Sequence, residues 1–368
     1  MKMKFKTESH IRAMAETKRI PLYAYLELTY RCNLSCVHCY VDVPHAGKEL
    51  SFEEYACVLD QLAEAGTLYL TLSGGEPLVR KDFLDIVKYA RKLGFVIIIL
   101  TNATLITDDL ADKLADFFPK LVGVTLYGSR EEIYARTTRR RGFFQKAVKG
   151  IRLLSERNIP MNVGFYIFNF YTAEDMLKMK RICEDLDVGW RPFFKFTARN
   201  NGDLSPIHYL VSESQLEKFS KKIPEIPRIL LHQKRRNRPD INSLICGSPR
   251  CLISVSPYGQ IGTCNFVLSK QSIREKPLLE IWRNDPLLQK HKELKWKDMP
   301  SCLECDDFSQ CNPCPGTNFL TTGSLNKIYK PYCRYAHVMR KAYEKLIATG
   351  PLEKVRYKDK KQSTCGMV

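Results

Sequence analysis

No stretch of this chain approaches eighteen uninterrupted apolar residues, so nothing in it reads as a membrane span. Its basic opening, Met1-Lys2-Met3-Lys4-Phe5-Lys6, is not followed by an apolar core, so it does not read as a secretory signal. No repeat of fixed period recurs. Acidic residues are in short supply, 40 against 58 basic, which leaves a net charge of +18. Such a surplus attracts anions of many kinds: nucleic acid, acidic peptide, phosphate or carboxylate-rich small molecules. The basic runs are Arg139-Arg140-Arg141, Lys234-Arg235-Arg236-Asn237-Arg238 and Lys358-Asp359-Lys360-Lys361. None is interleaved with aromatic residues, so nucleic acid is not the expected partner. With neither signal nor span, the expected location is the cytoplasm.

What is present is a globular composition, 44% hydrophobic and 27% charged over 368 residues, enough for one large or two ordinary domains. Apolar runs alternate with helical patterns. Strands are expected at Tyr23–Thr29, Leu68–Leu72, Phe95–Leu100, Leu121–Leu126, Met161–Phe168 and Trp190–Phe196. Helices are expected between them, one opened by the capping box Ser51-Phe52-Glu53-Glu54 and one capped by Thr107. That order predicts an α/β fold, a partial (β/α)6 TIM-like barrel with parallel strands. In such a barrel every loop after a strand opens on the same face. Five features should therefore share one mouth: the cysteines after strand one, Ser73-Gly74-Gly75-Glu76-Pro77, Asn102, Tyr127-Gly128 and Asn169. Residues 1–20 read as an arm, 21–235 as the barrel, 240–345 as a cysteine-rich unit and 346–368 as a tail. The polar, proline-broken stretch around 204–239 should carry one helix, Glu213–Lys222, and then a linker.

Fourteen cysteines without a secretory signal point to metal rather than disulfides. Cys32, Cys36 and Cys39 follow the first strand with three and then two residues between them. Three thiolates leave a four-coordinate cluster one ligand short, and an open iron is where a substrate or cosubstrate can bind. A zinc knuckle is the plainer alternative. Eight more thiols fall in 88 residues: Cys246, Cys251, Cys264, Cys302, Cys305, Cys311, Cys314 and Cys333. Their Cys-x2-Cys pairs also suit a zinc ribbon. Cys57 and Cys183, inside helices, are expected to be buried small hydrophobes, and Cys365 lies in the tail.

The triple cysteine with Gly74-Gly75-Glu76-Pro77 resembles the signature of the radical S-adenosylmethionine (SAM) enzymes. Cys246 to Cys333 looks like the SPASM domain, which holds auxiliary iron–sulfur clusters. One interval departs from the usual pattern: two residues, not three, precede Cys314. The resemblance implies three [4Fe–4S] clusters, one on Cys32, Cys36 and Cys39. The others fall to Cys246, Cys251, Cys264 and Cys314, and to Cys302, Cys305, Cys311 and Cys333. It implies that the Gly-Gly-Glu-Pro turn takes the SAM amino group, and that Ser73, Asn102 and Thr125 reach its ribose and carboxylate. Tyr40 and Asn169 would lie near its adenosyl group. SAM would be cleaved to a 5′-deoxyadenosyl radical that abstracts hydrogen from a substrate carbon. The segment from Thr125 to Tyr134 is similar to one frequent in peptide-maturing members. The expected substrate is accordingly a ribosomal peptide, acidic where it meets the basic surface. It would be cross-linked, thioether-bridged or otherwise oxidised, with the auxiliary clusters as electron acceptors. The expected partners are an external donor such as flavodoxin or ferredoxin, and a separate leader-recognition protein, since only about thirty residues precede Cys32. Asn265 stands where sulfatase maturases place an aspartate, against formylglycine formation. A porphyrin propionate decarboxylase and a zinc or iron–sulfur electron-transfer adaptor remain as alternatives.

Overall fold

The computed structural model describes residues 8–42, 47–223, 225–227 and 237–349. Its sheet begins with six strands that lie side by side in chain order, each parallel to the next. They are β1 (Tyr23–Thr29), β2 (Tyr69–Gly74), β3 (Val96–Thr101), β4 (Leu121–Thr125), β5 (Met161–Tyr166) and β6 (Gly189–Phe193). Helix α1 (Glu8–Lys18) precedes the sheet. The crossovers carry α2 (Phe52–Glu64), α3 (Phe83–Lys92), α4 (Asp108–Asp116), α5 (Glu131–Thr138), α6 (Phe144–Glu156) and α7 (Ala173–Asp185). Then α8 (Glu213–Lys222) follows β6 as expected. The sixth strand stops at Phe193 rather than Phe196. It is the edge of the sheet, where Pro192, lacking an N–H, is tolerated.

Alternation along the strands decides which residues see the site. Leu26, Leu28, Leu70, Leu72, Ile97, Ile99, Val122 and Val124 are buried in one core with Leu59, Ile86, Leu114, Ile151 and Leu154 of the helices. The residues between them point the other way. Glu27 pairs in register with Ser73, and Tyr25 with Thr71, so these four share the opposite face. Caps fix the helix starts. Ser51 and Glu54 close the expected capping box, at 2.8 Å and 3.3 Å, and Thr107 accepts from the Leu110 N–H at 3.2 Å.

Helix α5 was not expected. It has eight residues, and Arg130 caps it without a side-chain hydrogen bond, so only Glu131 and Glu132 in its first turn mark its start. Its last turn is held instead by Thr137 and Thr138, whose hydroxyls donate to Ile133 O and Tyr134 O.

The cysteine-rich half does not stand apart. Strand β7 (Leu252–Val255) pairs parallel with the free side of β1, from Tyr23 opposite Leu252 to Leu26 opposite Val255. Strands β8 (Gln260–Cys264) and β9 (Val267–Ser272) continue antiparallel, completing nine strands. The boundary expected between 235 and 240 therefore does not interrupt the sheet. Two expectations on cysteines diverge. Cys183 is fully buried on α7, but Cys57 is exposed, because the buried stripe of α2 runs through Tyr55, Val58, Leu59 and Leu62. Cys365, the run 358–361 and residues 234–236 lie outside the described residues.

Trp282 pins the shared sheet: it is fully buried, and its indole N–H donates to Leu252 O at 3.0 Å. Trp282→Ala is expected to lower stability by about 3–5 kcal/mol, read as a fall in the urea midpoint. An unchanged midpoint would show that β7 is held without it.

Candidate active site and thiol sets

The cysteine loop leaves β1 and is tied down from several directions. Ser35 N–H donates to Thr138 O and Val37 N–H to Thr137 O, both at 2.9 Å, so the unexpected α5 is one of its supports. The Arg199 guanidinium donates to Cys39 O at 3.0 Å, and the Asn200 N–H to Tyr40 O at 2.7 Å. From the β3 end, the Asn102 amide donates to Asn33 Oδ1 at 2.9 Å and lies 3.9 Å from Cys32 Sγ.

The Gly-Gly-Glu-Pro turn presses directly on this loop. Gly75 N–H donates to Thr29 O at 2.7 Å and Glu76 N–H to Arg31 O at 2.9 Å. A Cβ on Gly75 would stand 2.4 Å from Arg31 O, and one on Gly74 only 2.2 Å from Thr29 O. Gly74 also has φ +134, which side-chain-bearing residues avoid. Glu76 is fully buried and accepts from Thr101 Oγ1 at 2.7 Å, Asn102 N–H at 2.7 Å and Leu78 N–H at 3.2 Å. Pro77 begins the short 3₁₀ turn that follows. Glu76 thus shapes the turn from within, tying it to the end of β3.

The other expected residues fall as follows. Ser73, 6% exposed, accepts from Tyr25 Oη at 2.9 Å. Thr125 ends β4, half-buried. Tyr127 packs against His38 at 5.5 Å between ring centroids, close to the Cys36 thiol, and so joins the cysteine loop. Asn169 does not come to it: the residue is exposed, and its amide donates to His208 O at 2.8 Å. From that strand end Phe168 arrives instead. It packs with Tyr127, Tyr166 and Phe196 around His38, which lies between Cys36 and Cys39. Burial in this aromatic box pushes the His38 imidazole down to about 3, so it stays neutral.

The inner face of β1 also carries a buried acid. Glu27, 1% exposed, accepts from Tyr30 Oη at 3.0 Å and from the hydroxyl of Tyr40. Desolvation pushes its carboxyl from 4.5 up to about 7. A lone glutamate inside an otherwise apolar strand was the available signal. The ring of Tyr40 in turn meets Phe266 edge-on at 5.9 Å, two residues beyond Cys264. The cysteine loop and the second half of the chain thus face each other across Tyr40.

The thiols are free and fall into three sets. Burial raises Cys36, and Cys39 and Cys32 raise it further. Cys264, raised by burial, also feels Cys314 and Cys246; Cys251 feels Cys246. Burial likewise pushes Cys302 up to about 12, with help from Cys311, Cys333 and Cys305. Cys314 therefore groups with Cys246 and Cys264, while Cys333 groups with the Cys302 set. Among the described residues, no three His, Cys, Asp or Glu side chains are gathered as a single metal ion requires. Soft thiols grouped at wider spacing, beside a turn that admits no Cβ, suit iron–sulfur clusters and a small cosubstrate.

A parallel α/β partial barrel with three thiols at its mouth and further thiol sets beyond defines an iron–sulfur enzyme fold. Residues 26–183 match the family model of the radical SAM superfamily, and 246–306 that of the SPASM iron–sulfur cluster-binding domain. The chain belongs to the radical SAM superfamily and carries a SPASM extension; its cofactors are SAM and [4Fe–4S] clusters. It is 28% identical over 323 residues to a PqqA peptide cyclase of Bradyrhizobium diazoefficiens, covering 82% of this chain and 83% of the relative. It is 29% identical over 339 residues to an AdoMet-dependent heme synthase of Methanosarcina barkeri, covering 84% and 95%. Its fold is similar to that of Streptococcus suis SuiB bound to precursor peptide SuiA, with TM-score 0.67, 17% identity, and 88% and 79% covered.

Two outcomes are expected from this geometry. Glu27 is neutral in folded and unfolded chain below about 4.5 and ionises in the fold only near 7. The metal-free protein should therefore lose stability, up to about 3 kcal/mol, as pH rises across that window. Urea unfolding at pH 5 and pH 8 should show a smaller loss in Glu27→Gln than in the native protein, the remainder belonging to Glu76, whose carboxyl burial likewise pushes up to about 7. For Gly75→Ala, the Cys32 loop should lose its iron while the downstream sets keep theirs, a fall of about one third in iron and sulfide. Full iron content in that variant would show the turn yields without cost.

Proposed function

We propose that this chain oxidises a ribosomally made peptide, forming a cross-link, thioether or other altered side chain. The observation that carries the reading is the single face shared by the Cys32–Cys39 loop and Cys264 across Tyr40 and Phe266. A substrate lying there is within reach of a hydrogen-atom acceptor on one side and an electron acceptor on the other. The peptide reading is supported by the similarity to a peptide cyclase and by the likeness in fold to an enzyme bound to its precursor peptide. A net charge of +18 suits an acidic partner.

Cys32, Cys36 and Cys39 would hold the cluster that keeps one iron open. Carbonyls of the turn from Gly74 to Pro77 would take the SAM ammonium, and Ser73, Asn102 and Thr125 its ribose and carboxylate. Tyr40 would flank the adenosyl group, with Phe168 rather than the outward-turned Asn169 on the β5 side. When bound, SAM and this cluster supply one-electron cleavage of the sulfonium and a strong hydrogen-atom acceptor. The chain's own contribution is to orient and to exclude water. The aromatic box around His38 seals the site from the β5 side. Cys246, Cys251, Cys264 and Cys314 would hold one auxiliary cluster, and Cys302, Cys305, Cys311 and Cys333 the other. Four thiols apiece close both, which favours electron transfer over substrate ligation. An external one-electron carrier, flavodoxin or ferredoxin, has a basic landing place. Arg139, Arg140 and Arg141 are exposed and directly follow the threonines that hold the cysteine loop. Leader recognition would fall to a separate protein, and the cytoplasm is the expected site of action.

The heme synthase similarity favours a second reading, oxidative decarboxylation of a porphyrin propionate. Reconstituted enzyme with SAM and flavodoxin would be given either an iron porphyrin bearing propionates or the short peptide encoded nearest the gene. Loss of hydrogens from the peptide, matched by 5′-deoxyadenosine, is the expected result by mass spectrometry. Loss of carbon dioxide from the porphyrin would overturn the peptide reading. About twelve irons per chain are expected, and stoichiometric zinc without sulfide would sink both readings.

A further inference from the structure

The N-terminal helix delivers an ion pair to one of the thiol sets. Arg12 and Glu16 lie one turn apart on α1, and Arg12 Nε donates to Glu16 Oε1 at 2.8 Å. The same oxygen stands 3.9 Å from the thiol of Cys251, which is fully buried. The carboxylate also covers Gly247, where a Cβ would meet Glu16 Oε2 at 2.9 Å. Gly247 adjoins Cys246. The contact is held in place from both sides. Ala15, on α1, is buried with Tyr23, Cys251 and Leu252, and the Tyr23 N–H donates to Cys251 O at 3.0 Å. The pair itself is 32% and 30% exposed, so it adds little to the core.

A charge beside a cluster ligand acts on electron transfer. Reduction adds one negative charge to the cluster; a nearby cation favours the reduced state and a nearby anion the oxidised one. When Cys251 binds iron it gives up its proton, and the Glu16 carboxylate then faces a thiolate. Arg12, on the same carboxylate, supplies the opposing charge. We propose that Arg12 and Glu16 together set the reduction potential of the cluster on Cys246, Cys251, Cys264 and Cys314, Arg12 raising it and Glu16 lowering it. The assignment rests on the auxiliary cluster being there, as argued above. It gives α1 a part in the electron path: the helix tunes how readily this cluster takes an electron.

The test is a redox titration of the reconstituted holoenzyme followed by electron paramagnetic resonance, after iron and sulfide analysis of each sample. One of the cluster potentials should move, to more negative values in Arg12→Gln and to more positive values in Glu16→Gln. The double variant should return close to the native value, and Arg12→Lys should retain most of it. No shift in either single variant overturns the inference. So does a shift of both in the same direction, which is what a loosened α1 admitting water would produce. Samples holding only the cluster of the Cys32 loop would instead refute the auxiliary-cluster reading and this inference with it.

Discussion

The mouth of this barrel is built on the contact between two pieces of backbone. The turn after β2 lies against the end of β1 so closely that neither Gly74 nor Gly75 has room for a Cβ. Hydrogen bonds from Gly75 and Glu76 to Thr29 O and Arg31 O set the direction in which the chain enters the cysteine loop. A loop so fixed needs little from its own side chains, which leaves three thiols free of other duties. The same turn is locked from the far side by Glu76, which ties it to the end of β3 through Thr101 and Asn102. Three strand ends are thus joined in one rigid unit before any cofactor is considered. This is the preorganisation that an open-iron site requires.

Around that unit the protein is dry but not apolar. Glu27, Tyr25, Tyr30, Tyr40 and Ser73 form a hydrogen-bonded patch on the inner face, and His38 sits neutral among aromatic rings. Radical chemistry tolerates neither stray water nor easily abstracted hydrogens beside the reacting carbon. Rings and hydroxyls held by a buried carboxyl meet the first need with groups fixed in place. The patch reaches Phe266 through Tyr40, an aromatic contact that adds to the β1–β7 pairing between the two halves of the chain.

Much of this was legible in the residues. The strand–helix alternation, the capping boxes and the position of the cysteine loop follow from local patterns that local physics dictates. Helix α5 escapes a sequence reading because its cap makes no side-chain hydrogen bond and its last turn is held by Thr137 and Thr138 bonding back along it. Cys57 departs from expectation because its neighbours in sequence are apolar while its own face of α2 is not. Asn169 and Phe168 show a finer limit: the strand end was placed well, but which of two adjacent side chains turns inward depends on the turn at His208. Least visible was the joining of β7 to β1, since parallel pairing across more than two hundred residues leaves no trace in either segment. The grouping of Cys314 away from its neighbour Cys311 came from resemblance alone, and spacing could not have supplied it.

That late pairing has a consequence for how the protein comes into being. Strand β1 is made early, yet its second edge stays bare until Leu252–Val255 has been synthesised. At about 5–20 residues per second, that interval lasts roughly ten to fifty seconds. During it the cysteine loop hangs on a half-paired strand with its thiols open to the surroundings. The segment that completes the sheet is also the one that brings Phe266 against Tyr40, so the first thiols meet the later ones only at that point.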